Sequence, residues 1–387
     1  MTQELKKLTE QASRLGQGQI EMTAAETEVS RILQICNACR YCEGFCAVFP
    51  AMTRRLEFKS ADVNYLANLC HQCSACLYAC QYAPPHEFSV NVPQALAKVR
   101  KETYIHYAWP KPLGKLYQRN ATLISLLSAI TITLFILGCL NFYSSNLGQG
   151  WAGNFYAIYP HNTLALLFGA VFGYSILALF MGVKRFWKEA APGLISSGAI
   201  SEAAYDSLSL KYLGGGHGDG CNNEDDEFSL WRKYFHHFTF YGFMLCLGST
   251  SVATIYHYFF NLEAPYPLLS LPVILGTLGG IGLIIGPIGL LVLNLKKNPL
   301  QADVSQDAMS RAFILLLALI SITGLGLLIE RDGELMPIWL SIHLGFVMTF
   351  FLTMPYGKFA HGIYRVAALL KNAIEKRHTS RISVGSD

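Results

Sequence analysis

Charge is scarce in this 387-residue chain: Asp, Glu, Lys and Arg make up 14% of it, against about a quarter in a soluble globular protein. With 52% hydrophobic residues, that deficit excludes a soluble or disordered chain and points to a membrane protein. The net charge of +4 is small and scattered, which argues against nucleic acid as a partner. An apolar run near the start is also missing, so no signal peptide is expected and the N-terminus is expected to stay inside. No nucleotide-binding glycine loop and no nucleophile elbow are present, so flavin and substrate chemistry must sit on another polypeptide. Strand-like alternation is absent, and the reading is mainly α.

What is present begins with six stretches free of Lys, Arg, Asp and Glu: Ala121–Leu140, Asn162–Val183, Tyr234–Leu262, Ala264–Leu295, Ala312–Ile329 and Leu335–Gly357. Each is close to or above the ~20 residues that cross a bilayer core as a helix, and the two longest must extend past the core, tilt or include a loop. A transporter or proton pump usually keeps buried ionisable residues along its path, and these spans hold no carboxylate, lysine or arginine. Outside the spans, Lys and Arg divide 29 to 1 between alternate loops, with Arg331 alone on one side. The positive-inside rule then gives a multi-pass protein of the inner (cytoplasmic) membrane with both termini in the cytoplasm.

Eight of the 11 cysteines lie between Cys36 and Cys80, on the expected cytoplasmic side, where thiols stay reduced and metal binding is favoured over disulfides. Cys36, Cys39, Cys42 and Cys46 fit C-x2-C-x2-C-x3-C, and Cys70, Cys73, Cys76 and Cys80 repeat it. This is the ligand run of two-cluster ferredoxins, in which the fourth cysteine of each run reaches across to the other cluster. Cys36, Cys39, Cys42 and Cys80 would hold one 4Fe–4S cluster, and Cys70, Cys73, Cys76 and Cys46 the other. Structural zinc uses pairs of cysteines rather than two identical quartets. Pro50 and Pro84 follow the fourth cysteines at the same offset, which reads as one turn used twice. Helical spacing in SADVNYLANLC and PQALAKVRKE favours an α-helical ferredoxin-like module. His71 and His86 read as surface or hydrogen-bonding residues.

Histidines are the one polar feature of the spans that suggests a cofactor. His236, His237 and His257 lie in the third span, His343 in the sixth, His161 just before the second and His361 just after the sixth. Several at matched depths point to axial haem ligands. His343 and His361 are 18 residues apart, so one continuous helix would present both on one face about 27 Å apart. Helical phase pairs His236 rather than His237 with His257. Because the third and sixth spans are antiparallel, His236 or His237 would match His361 in depth, and His257 would match His343, giving one or two b-type haem sites with His161 in reserve. The glycines from Gly276 to Gly289 are expected to let helices approach closely, with a kink at Pro287. The glycine-rich loop holding His217, Asp219 and Cys221 reads as solvated.

The run IHLGFVMTFFLTMPYGKFAHGIYR resembles the last haem-ligating helix of the cytochrome b subunit of respiratory nitrate reductase. Across nearly the whole chain, the cysteine runs, CQYAPPHEF, WRKYFHHFTFYGF and that final helix resemble the citrate utilization protein B family, which serves tricarballylate catabolism. The resemblance implies a membrane protein that takes electrons from an FAD-dependent dehydrogenase, of the tricarballylate dehydrogenase kind, and passes them through iron–sulfur clusters and haem to membrane quinone. The expected organisation is a polar segment over 1–30, a two-cluster ferredoxin-like domain over 31–110, a six-helix transmembrane haem-binding bundle over 111–365 with a loop at 184–233, and a tail from 366 to 387. A heterodisulfide-reductase-like thiol redox subunit is the alternative. It would want a reactive cysteine near the clusters, and Cys221 is the one available.

Overall fold

The computed structural model describes residues 22–144, 155–190, 193–215 and 218–378. The chain is mainly α. Helices α1 (Ala24–Cys39), α2 (Val48–Met52), α3 (Ser60–Leu69), α4 (Ala75–Tyr78) and α5 (Val92–His106) form the cysteine-bearing domain. Thr23 caps α1 in a reciprocal capping box with Glu26, and Asn91 caps α5 ahead of Pro93 in its first turn. Val29, Leu33, Val63, Leu66, Leu69, Leu96 and Val99 close the core of this domain. The repeated proline offset does not mark a repeated turn. Pro50 lies inside α2, whose Val48, Phe49, Ala51 and Met52 are all buried, whereas Pro84 sits in the irregular segment after Cys80, where exposed Gln81 has no core to join.

An amphipathic helix, α6 (Lys111–Arg119), leads into the bundle: α7 (Ala121–Ser144), the short α8 (Phe155–Ile158), α9 (His161–Ala190), α10 (Ser197–Leu208), α11 (Trp231–Phe260), α12 (Leu271–Lys296), α13 (Asp307–Ile329) and α14 (Met336–Thr353). Six of these are long and apolar enough to cross a membrane, which makes the chain a multi-pass membrane protein. Strands β1 (Cys221–Asn222) and β2 (Phe228–Ser229) pair in a small hairpin between α10 and α11. Helices α11 and α12 pack with their backbones in close approach: a Cβ on Gly242 would come within 2.9 Å of the Gly279 carbonyl. The glycine series serves this contact.

His343 and His361 do not lie on one continuous helix, because α14 ends at Thr353 and α15 (Ala360–Glu375) starts after a turn. Pro355 has no N–H to give to the Phe351 carbonyl. The Ser175 hydroxyl of α9 takes that acceptor instead, at 2.5 Å, while Gly357 N–H closes the turn on the Thr353 carbonyl at 2.8 Å.

Residues from 366 onward, read from sequence as a tail, begin inside α15. This helix runs back from the membrane and packs on α3, α9 and α10. Its last residue, Glu375, receives Arg55 Nη1 at 3.2 Å, Tyr65 Oη at 3.3 Å and Arg54 Nη1 at 3.5 Å. Arg55 also holds Asp62 at 2.6 Å. The cysteine domain is thereby bolted to the final helix of the bundle.

Candidate iron–sulfur and haem sites

Each cysteine quartet is built where helices end. Cys36 and Cys39 occupy the last turn of α1, and Arg40 then enters the left-handed region at φ 55° with its N–H on the Cys36 carbonyl. Cys70 caps α3, and Gln72 and Ser74 at φ 57° and 66° swing the chain round Cys73 into α4, which carries Cys76. Cys36, Cys39, Cys42 and Cys80 line a single cavity of about 300 Å3 beside Tyr41 and Tyr82.

Electrostatics groups the thiols the same way. Burial, then Cys42, Cys80 and Cys39, push the Cys36 thiol up to about 12, and burial with Cys80 and Cys39 pushes Cys42 up to about 12. Burial, then Cys73 and Cys70, raise Cys46, with opposition from the backbone N–H groups of Val48 and Phe49 aimed at its sulfur. Burial, then Cys73, Cys46, Cys70 and finally Cys42, raise Cys76. So Cys46 and Cys80 have each crossed to the other run, and the two quartets adjoin through Cys42 and Cys76. The raised thiols of Cys36, Cys42, Cys46 and Cys76 fit a polynuclear cation, which would convert them to thiolates. Further backbone N–H groups meet sulfur at Cys70, from Gln72 at 3.4 Å, and at Cys80, from Tyr82 and Ala83; such bonds tune cluster potentials.

At the near end of the bundle, the His236 and His361 rings meet edge to face with centroids 6.2 Å apart and planes at 73°. Two imidazoles on one metal at about 2 Å per bond put their centroids roughly 6 Å apart, so the pair fits a bis-histidine iron. His361 Nδ1 is tied to the Lys358 carbonyl, which leaves Nε2 for a metal. Burial, then Arg365, Lys358 and His236, lower the His361 pKa, favouring the neutral, ligating imidazole. His237 points elsewhere, toward the Ser209 backbone and the Tyr241 ring at 5.8 Å.

The far end differs. His257 stacks on His161 at 3.6 Å and 24°, with Tyr156 and Tyr258 edge-on. Those two rings are in van der Waals contact and leave no room for iron between them. His343 is engaged by α13 instead, its Nδ1 3.1 Å from both Thr323 Oγ1 and the Ile320 carbonyl. Among the described residues His257 and His343 share no ring contact.

Three arginines grip the Cys70–Gln72 backbone. Arg365 and Arg100 donate to the Cys70 carbonyl at 2.7 and 2.5 Å. Arg232 reaches the Gln72 carbonyl at 2.5 Å and the His71 carbonyl at 3.3 Å. Arg232 stands four residues before His236 and Arg365 four after His361, so each candidate haem helix extends one turn to hold the cluster loop. Sequence reasoning passed over both, although that offset in WRKYFHH and HGIYR is the signal. His71 is buried, with Nδ1 bonded to Leu69 at 2.8 Å, and Lys358 is pushed down to about 7 by burial and by Arg100, Arg365, Lys297 and Arg232. Cys221 is fully buried against Cys73, its Sγ donating to the Leu213 carbonyl at 3.3 Å. Of its loop, His217 lies outside the described residues.

This arrangement defines a membrane-associated iron–sulfur electron-transfer protein. Residues 29–106 match the family model described as citrate utilization protein B Fer4-like domain, and residues 115–381 match that of citrate utilization protein B. Citrate utilization protein B of Escherichia coli is 59% identical over 366 residues, which cover 95% of this chain and 97% of that one. The chain belongs to the citrate utilization protein B family. No solved structure matches it.

Proposed function

We propose that this protein carries electrons from a cytoplasmic FAD-dependent dehydrogenase, of the tricarballylate dehydrogenase kind, to quinone in the inner membrane. Two 4Fe–4S clusters and b-type haem, when bound, supply the one-electron carriers. Cys36, Cys39, Cys42 and Cys80 hold one cluster at the cavity-lined surface where a soluble donor can approach. Cys46, Cys70, Cys73 and Cys76 hold the other next to the membrane, and His236 and His361 hold the haem. The observation that carries the reading is the arginine grip: Arg232 and Arg365 tie the Cys70–Gln72 backbone to the very helices that bear His236 and His361. The distribution of Lys and Arg along the chain supports a cytoplasmic position for this end.

The thiol-redox alternative needs Cys221 as a reactive group, yet burial raises that thiol and its S–H is spent on Leu213. The test is to mix reduced dehydrogenase anaerobically with membranes containing this protein. Flavin bleaching followed by reduction of b-haem is expected, and deletion should block growth on tricarballylate while leaving the dehydrogenase flavin-loaded. Undiminished flavin reoxidation by membranes lacking the protein would assign the task to another carrier.

A further inference from the structure

Five cations converge at the His236–His361 end of the bundle, and one of them has a carboxylate: Lys297, which pairs with Asp307. Arg100, Arg232 and Arg365 direct their donors at the carbonyls of Cys70, His71 and Gln72. The fifth is Lys358. Its backbone carbonyl fixes His361 Nδ1, while its half-buried side chain lies in the field of Arg100, Arg232 and Arg365 and has no hydrogen-bond or ion-pair partner among the described residues. Charging a lysine among guanidiniums without an anion is costly, so the group that belongs beside it is negatively charged. The anionic cluster of the Cys70 quartet is faced by the three arginines through the loop they hold. Lys358 lies three residues before a candidate iron ligand, His361, whose ring its carbonyl holds and its side chain influences.

We propose that Lys358 anchors a propionate carboxylate of the haem held between His236 and His361, an inference that rests on the haem reading above. The two imidazoles fix the metal along one axis and leave the porphyrin free to rotate about it. A charge-assisted bond at the porphyrin edge removes that freedom.

The full-length protein, produced in a haem-auxotrophic host fed either haem or its dimethyl ester, tests this. Wild type should retain the ester about tenfold less well than haem, the loss expected for one charged hydrogen bond. Lys358→Gln should lose that discrimination and lower the haem midpoint potential, and Lys358→Arg should restore both. Equal retention of haem and ester by wild type would overturn the proposal, even if every variant failed to fold. So would a Lys358→Gln protein with an unchanged haem potential and shifted cluster signals, which would make Lys358 a counter-charge to the cluster. Wild type without haem by pyridine haemochrome assay would overturn the haem reading itself, a result obtained before any ester comparison.

Discussion

Arg365 donates from Nη2 to the Cys70 carbonyl at 2.7 Å while standing one turn beyond His361 on the same helix. One side chain thus joins a candidate cluster ligand to the helix of a candidate haem ligand. Arg365→Gln should lower the potential of one cluster, because a cation beside an electron acceptor favours its reduced form. It should also slow haem reduction while leaving iron and sulfide content intact. Redox-poised EPR and stopped-flow Soret traces check this; unchanged potentials in both carriers would leave Arg365 a purely structural clamp.

The crossing of Cys46 and Cys80 makes a pairing prediction. Cys42→Ser and Cys80→Ser should each remove the same cluster, taking iron from about eight to about four per chain, while Cys46→Ser should remove the other. Iron and sulfide assays with EPR of single and double variants distinguish the pairs. A double Cys42/Cys80 variant that loses both clusters would contradict the assignment.

The haem ligands can be separated by the same logic. His236→Ala and His361→Ala should abolish one and the same b-haem, and His237→Ala should leave it in place, given that His237 turns toward Ser209. His343→Ala reports on a second haem: pyridine haemochrome content drops in that variant if the far-end site is filled and stays at the wild-type level if Thr323 and Ile320 are its working partners.

Glu375 receives three basic or hydroxyl groups from the cysteine domain, so Glu375→Gln leaves Arg54 and Arg55 without their shared anion. A loss of about 3 kcal/mol in the docking of that domain is expected. Limited proteolysis between the domain and the bundle should accelerate, with the absorbance of the clusters retained until cleavage. Glu202→Gln makes a control, because its pairs with Lys376 and Arg377 lie outside this contact.

The six spans and both cysteine quartets were legible because each rests on a one-dimensional rule, charge exclusion over about 20 residues in one case and ligand spacing in the other. Phase arithmetic also favoured His236. It went wrong where it assumed one helix from His343 to His361, since Pro355 and Gly357 break the backbone inside a run whose apolar character never changes. Residues 366–375 read as a tail because the membrane pattern ends there, although Ala367, Ala368, Leu369, Ala373 and Ile374 already trace the buried face of a helix. The offset of Arg232 and Arg365 from the histidines is visible in the sequence but their targets are not, since these are backbone carbonyls up to 297 residues away.

The bond between Arg55 and Glu375 spans 320 residues, and that distance orders the birth of the protein. Synthesis at about 5–20 residues per second leaves the cysteine domain waiting roughly 15–60 s for its docking helix. All six spans are translated before Glu375 exists. During that interval Arg54, Arg55 and Tyr65 lack the carboxylate they share. The last helix then closes the molecule: Arg232 and Arg365 come earlier in the chain and hold the Cys70–Gln72 backbone, so a ribosome that stops short of Glu375 leaves the cysteine domain without its second anchor.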